Sequence, residues 1–264
     1  MNKLMFGAVV AMMVSMTLGS CISSSVIRGS GREARGGFDI SLDYTDLEVS
    51  SGITVELVRS ETGTGFITAD EEVMEHVSIT QDGGRVKVAY EPSFISVLSK
   101  IKTVITMPLG ENLSRLDVSS AGRIVTGERL PGASIRVECT SAGEIEADIN
   151  AADVSIDLSS AARFSGNVVA KKLTVEVTSA ARCDVSGSAD NCVADVSSAG
   201  DLRGLDLECR RAEVDASSAG RIEIAASEEL VAEASSGGSV RYRGTPSIVR
   251  RDSSSGGSVR EITN

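Results

Sequence analysis

The chain is predicted to fold as an all-β, single-stranded parallel β-helix (a β-solenoid) of about 19 residues per coil. Three observations predict it. A Ser/Thr-Ser-Ala/Gly core returns eight times in the second half, with its second serine at Ser120, Ser141, Ser160, Ser179, Ser198, Ser218, Ser236 and Ser255. The steps between these marker serines are 21, 19, 19, 19, 20, 18 and 19 residues, a spacing kept by a stack of near-identical units. Around each marker, apolar residues rich in Val and Ile fall at every second position, the pattern of a strand buried on one face.

The columns of the repeat justify each element of a coil. Four residues before the marker stand Leu116, Val137, Ile156, Val175, Ala194, Val214 and Ala232, and two before stand Val118, Cys139, Leu158, Val177, Val196, Ala216 and Ala234. Four after the marker come Ile124, Ile145, Phe164, Cys183, Leu202, Ile222, Val240 and Val259. A unit of this length is too short for a strand–helix–strand crossover, so each coil is built from two or three short strands. Coils stacked at roughly 4.8 Å would make a rod of about 35 Å from eight of them. The small run between the apolar segments suits a tight corner, with glycine free to take positive φ. The marker serines are read as facing inward, a column of hydroxyls bonded to one another along the axis. In the last copy Arg251 and Ser253 replace apolar residues, which ends the stack without a sticky edge.

A ninth copy, Leu47-Glu48-Val49-Ser50-Ser51-Gly52 followed by Val55, stands well before the others. Strand-like runs at Arg85–Tyr90 and Lys102–Thr106 lie between it and the array, with a turn signal at Gln81-Asp82-Gly83-Gly84. The segment Asp70–His76 reads equally as a short helix or a loop. Residues 36–264 are therefore taken as one β-helix head, with irregular opening coils over 36–118 and regular repeats over 119–264.

Residues 1–20 read as an export signal: Lys3 gives a positive start, and Leu4 to Leu18 form an apolar run too short to span a bilayer comfortably. Leu18-Gly19-Ser20-Cys21 resembles a bacterial lipobox, which makes Cys21 the lipidated mature N-terminus; an ordinary secretory signal with Cys21 incidental is the other reading. Residues 21–35, rich in Ser, Gly and Arg, are expected as a flexible tether. The expected location is the cell outer membrane, with the membrane contacted through the N-terminal lipid and the face undecided. Losing Lys3 with the signal leaves 25 basic and 37 acidic residues, a net charge of −12 that argues against nucleic acid as a partner.

Cys139, Cys183 and Cys192 occupy apolar columns and read as small buried hydrophobes. Cys192 and Cys209 fall near the same corner of adjacent coils, where a disulfide is open in an oxidising compartment. No pair has metal-ligand spacing, and no metal or cofactor is expected.

Three positions before the marker every copy is acidic: Asp117, Glu138, Asp157, Glu176, Asp195, Asp215, Glu233 and Asp252, with Glu48 in the early copy. Alternation turns this column outward, beside Ser or Thr one position before the marker. Stacked carboxylates repel by roughly 1 kcal/mol per adjacent pair in water. Arginines three after the marker (Arg123, Arg163, Arg182, Arg221) are read as an offset, interrupted by Glu144 and Asp201. The stripe is the candidate binding surface. A solvated, anti-aggregation face, a Ca²⁺ array and recognition of a cationic partner are the three readings.

Catalytic patterns are sparse. His76 is the single histidine, and no G-x-S-x-G elbow, P-loop or dinucleotide fingerprint is present. Polysaccharide-cleaving β-helices use paired carboxylates in clefts walled by long loops. Here only residues 60–102 offer chain for such a wall, so no catalytic residue is assigned.

The lipobox, the tether with Arg28-Gly29-Ser30-Gly31, the early Leu-Glu-Val-Ser-Ser-Gly copy and the serial Val-Ser-Ser-Ala-Gly coils together resemble the auto-transporter adhesin head GIN domain family, found in lipoproteins of Bacteroides-like bacteria. The resemblance covers about residues 26–264, with Gly52-Ile53-Thr54 the nearest sequence to a Gly-Ile-Asn signature. It implies an adhesin-like β-helical head that binds a protein or glycan. A periplasm-facing structural or sensing lipoprotein is the alternative, since Ile22-Ser23-Ser24-Ser25 carries no acidic export run.

Overall fold

The computed structural model describes residues 25–91 and 94–262, so the expected export signal and Cys21 lie outside the described residues. The chain begins with β1 (Ser25–Arg28) and β2 (Glu33–Asp39), then β3 (Asp46–Val49) and β4 (Thr54–Val58), the two strands of the early copy. β5 (Thr64–Asp70), one helical turn α1 (Glu71–Met74), β6 (Val77–Asp82), β7 (Arg85–Tyr90), β8 (Phe94–Leu98) and β9 (Val104–Pro108) follow.

β7 and β9 run parallel to β3 and β4, placing Val86 beside Leu47 and Ile105 beside Val55. On their other edges β3 and β4 pair in parallel with β10 (Arg115–Val118) and β11 (Arg123–Thr126). The early copy is thus sandwiched between two levels that come later in the chain. Antiparallel strands close this end: β6 and β7 form a hairpin through Gly83-Gly84, and β5 runs antiparallel to β2 and β9. Between Asp70 and His76 the structure forms the helical turn, with the Asp70 side chain capping the Glu72 N–H.

Part of the segment expected as a flexible tether is held in place. β1 pairs in parallel with β8, and Ile27 is buried. The enclosed Asp70 carboxylate accepts hydrogen bonds from the N–H groups of Ser30 (2.9 Å) and Gly31 (2.8 Å) and from the hydroxyls of Ser30 and Ser99. A Cβ on Gly29 would lie 2.3 Å from Asp70 Oδ2, so only glycine fits there.

The regular coils continue with β12 (Leu130–Cys139), β13 (Glu144–Glu146), β14 (Ile149–Leu158), β15 (Arg163–Val177), β16 (Arg182–Val196), β17 (Asp201–Ala216), β18 (Arg221–Ala234), β19 (Ser239–Arg243), β20 (Ile248–Ser253) and β21 (Ser258–Glu261). Every one pairs in parallel with the coil above or below, giving a β-solenoid of about 8 turns with about 19 residues per turn. The apolar columns stack as read: Leu116, Val137, Ile156, Val175, Ala194, Val214 and Ala232 follow one another in register, each at most 2% exposed. Within β15 the inward residues are Phe164, Val168, Leu173, Val175 and Val177, so alternation slips between Val168 and Leu173, where the strand bends with Lys171 and Lys172 outward.

The tight corner differs from its sequence reading. In the copies from Ser120 to Ser218 the marker serine and the alanine after it take positive φ, near 50° and 60°; glycine follows the serine in the last two copies and at Gly52. The residue before the marker accepts a hydrogen bond from the N–H three residues on, as from Gly122 to Ser119, closing a four-residue turn. The marker serines are exposed at this corner rather than facing the core. An L-residue in this region costs roughly 1–2 kcal/mol. The offset is axial: Ala121 N–H donates to Ser141 O, Ala142 to Ser160 O, Ala161 to Ser179 O and Ala180 to Ser198 O. The ladder of backbone hydrogen bonds therefore continues through the corner without a gap.

At the far end, β20 pairs only with β18 and all its residues are exposed. The Arg251 guanidinium lies 5.9 Å from the ring centre of the buried Tyr242, a polar cover over the last apolar layer.

Candidate functional site

The acidic column is a continuous ladder. Glu48, Asp117, Glu138, Asp157, Glu176, Asp195, Asp215, Glu233 and Asp252 are successive register partners on one outer face. Its two halves differ in electrostatics. Near the base, Lys87 Nζ is 2.6 Å from Glu48, and Arg115 is 2.7 Å from Glu138 and 3.6 Å from Asp117. Burial raises the Asp117 carboxyl above the usual range, helped by Glu138 and Glu48 and opposed by Arg115. From Asp157 to Asp252, six carboxylates in a row have no ion-pair or hydrogen-bond partner among the described residues, and all are exposed.

Beside this ladder runs the half-buried column one position before the marker. Ser159 Oγ donates to Thr140 Oγ1 at 3.1 Å, and Ser197 Oγ to Thr178 Oγ1 at 3.4 Å. The stacked hydroxyls expected of the marker serines thus belong to their neighbours. The arginine column is also reassigned. Arg123 pairs with Glu144 (3.8 Å) and Glu146 (2.9 Å), and Arg182 pairs with Asp201 (3.3 Å), all beyond the corner. Glu144 and Asp201, read as interruptions, are the partners themselves. The corner turns these arginines away from the ladder they were expected to offset.

The segment left open for a cleft does shape one. A groove of about 560 Å³ lies between Ser99, Lys102 and Thr103 on one side and the corners at Ser51 and Ser120 on the other. Tyr90 at its floor donates to Thr103 Oγ1 at 2.8 Å. Among the described residues its lining holds hydroxyls and one amine but no carboxylate or imidazole. His76 lies elsewhere, 3.7 Å from Glu91. Among the described residues no group of three or more His, Cys, Asp or Glu side chains is arranged to hold a metal ion. Cys139, Cys183, Cys192 and Cys209 are buried free thiols.

Sequence reasoning missed the enclosed Asp70 and the N-terminal strand it pins. The signal was there in Gly29-Ser30-Gly31, three small residues whose backbone can crowd a carboxylate.

These features define a parallel β-solenoid head with one charged, hydroxyl-lined face and short corners. The chain belongs to the family described as "putative auto-transporter adhesin, head GIN domain", whose model matches residues 43–246. A solved structure described as a "putative lipid binding protein" from Parabacteroides distasonis has TM-score 0.81 and 19% identity, covering 90% of this chain and 100% of its own. A "putative adhesin" from Parabacteroides merdae has TM-score 0.82 and 16% identity over 91% and 100%. Another from Bacteroides fragilis has TM-score 0.63 and 16% identity over 89% and 100%. At these identities the likeness is one of fold. Comparison with the curated proteins gives no match. Among the described residues no helix is long and apolar enough to cross a membrane.

Proposed function

We propose that this chain is a non-enzymatic cell-envelope lipoprotein, anchored in the outer membrane through Cys21, whose solenoid head binds a cationic surface of a protein or glycan partner. One observation carries the reading: the run from Asp157 to Asp252 presents six unpaired carboxylates at the pitch of the coils, next to a row of hydroxyls. A face that served only solubility would be interspersed with cations, as the Arg123, Arg182 and Arg203 face is. The family's adhesin description and its two-residue corners, which leave little chain to wall a reaction centre, support a binding role.

The test compares the parent with a variant carrying Asp157→Asn, Glu176→Gln, Asp195→Asn and Asp215→Asn on arrays of host-matrix proteins and glycans. Salt-sensitive binding that is lost in the variant, with unchanged circular dichroism, is expected. Equal binding by both would sink the stripe as the binding surface. Cys21→Ala should shift the protein out of the membrane fraction; retention there would refute lipid anchoring. A periplasm-facing role is the second reading, favoured by the uncharged Ile22-Ser23-Ser24-Ser25, and protection from protease on intact cells would select it.

A further inference from the structure

We propose that Cys192 and Cys209 form a disulfide site that staples two adjacent coils from inside the core. Both residues flank the same bend, Cys192 on β16 and Cys209 on β17. The parallel register sets Cys209 against Ala189 and Cys192 against Ala212. The two cysteines therefore stand diagonally across the bend, in a buried patch whose other corners are methyl groups. Alanine neighbours leave each sulfur room to rotate toward the other, which a branched side chain would block. Both cysteines are buried, at 2% and 1% exposure. Outside the same bend, Arg210 reaches Asp190 at 3.4 Å and Arg211 reaches Asn191 at 3.3 Å, so the two segments are held in one register from the solvent side as well. The other thiols are placed differently: Cys183 stacks between Phe164 and Leu202, and Cys139 beside Leu158.

The chemistry is thiol–disulfide exchange with a small-molecule or protein disulfide as oxidant. One cysteine thiolate attacks a sulfur of that oxidant, forming a mixed disulfide and releasing one thiol. The second thiolate attacks the mixed disulfide, closes the Cys192–Cys209 bond and releases the other thiol. The protein loses two electrons and two protons, and the oxidant gains both. Contact with Cys192, then burial, pushes the Cys209 thiol far above its usual range in the closed fold. Exchange therefore happens before the coils close, and the finished bond is shielded from reductants. The proposal does not rest on the binding role of the acidic face.

The experiment refolds the full chain from reducing denaturant in a buffer of oxidised and reduced glutathione, then alkylates remaining thiols in denaturant. Cleavage after arginine places Cys192 in fragment 183–203 and Cys209 in fragment 204–210. The two fragments are expected to be linked, to separate on reduction, to stay linked in Cys183→Ala and to be unlinked in Cys192→Ala. The oxidised parent should also melt above the reduced parent. Alkylation of both Cys192 and Cys209 in the refolded parent would overturn the proposal, as would a link that disappears in Cys183→Ala. If Cys192→Ala fails to fold, the alkylation pattern of the parent decides, with fragmentation of 183–203 separating Cys183 from Cys192.

Discussion

A single ladder of carboxylates should respond unequally to the same kind of substitution at its two ends. Asp195 stands between Glu176 and Asp215 in register, and neither it nor its neighbours meets a cation. At a coil spacing of about 4.8 Å each neighbour contributes roughly 0.9 kcal/mol of repulsion in water. Screening at physiological ionic strength halves this, leaving about 1 kcal/mol from the two together. Asp195→Asn should therefore stabilise the fold by about 0.5–1 kcal/mol, and the gain should shrink to a few tenths in 1 M salt. Glu138 sits in the same column, but Arg115 lies 2.7 Å away and Arg136 3.7 Å away. Glu138→Gln relieves a similar repulsion from Asp117 and Asp157 but also removes these pairs, each worth about 0.5 kcal/mol, so its net effect should lie near zero. Urea unfolding of the parent and both variants at low and high salt reads these differences directly. A destabilised Asp195→Asn, or a gain unchanged by salt, would refute the claim that this half of the ladder is unbalanced.

Other outcomes follow from the corner, the base and the far end. Ala161 is exposed at φ 62° and already bears the left-handed strain, so Ala161→Gly should stay near neutral, while the β-branch of Ala161→Val adds strain and should cost about 1 kcal/mol more with no packing change; thermal melts of the pair check it. Burial raises the Asp70 carboxyl, but hydrogen bonds from Gly31, Ser30, Ser99 and Glu72 outweigh it and hold the pKa below the usual value. That contribution is present above the unfolded pKa of about 4 and is lost as pH falls through the folded value. Asp70→Asn should flatten acid destabilisation in that window and speed hydrogen exchange at Ser30 and Gly31. Arg251→Val removes the polar cover over Tyr242 and should raise self-association; an unchanged sedimentation profile would count against it.

The period and the apolar columns were legible because each coil repeats the same demand, and Leu116 to Ala232 stack as the sequence spaces them. The outward acidic column was legible for the same reason. The corner was not. Serine and alanine disfavour positive φ in isolation, and what stabilises them there is the bond from Ala121 N–H to Ser141 O in the next coil, a partner no single repeat reveals. The arginines were misassigned because linear distance to Asp157 and Asp195 ignores the turn between them. The opening coils hid their order, since nothing in residues 46–58 announces that the strands above and below both come later.

That ordering has a kinetic side. Thr45 bonds across 69 positions to Ser114, and Glu48 across 39 to Lys87, whereas each later coil docks on one just 18–21 positions away. Closing the long loops carries the larger entropic barrier, so the foundation is where folding is slowest and the upper storeys add quickly once it exists. A ribosome releasing this chain has to emit both flanking segments before the first storey can set, which leaves the nascent base exposed longest to proteases and chaperones.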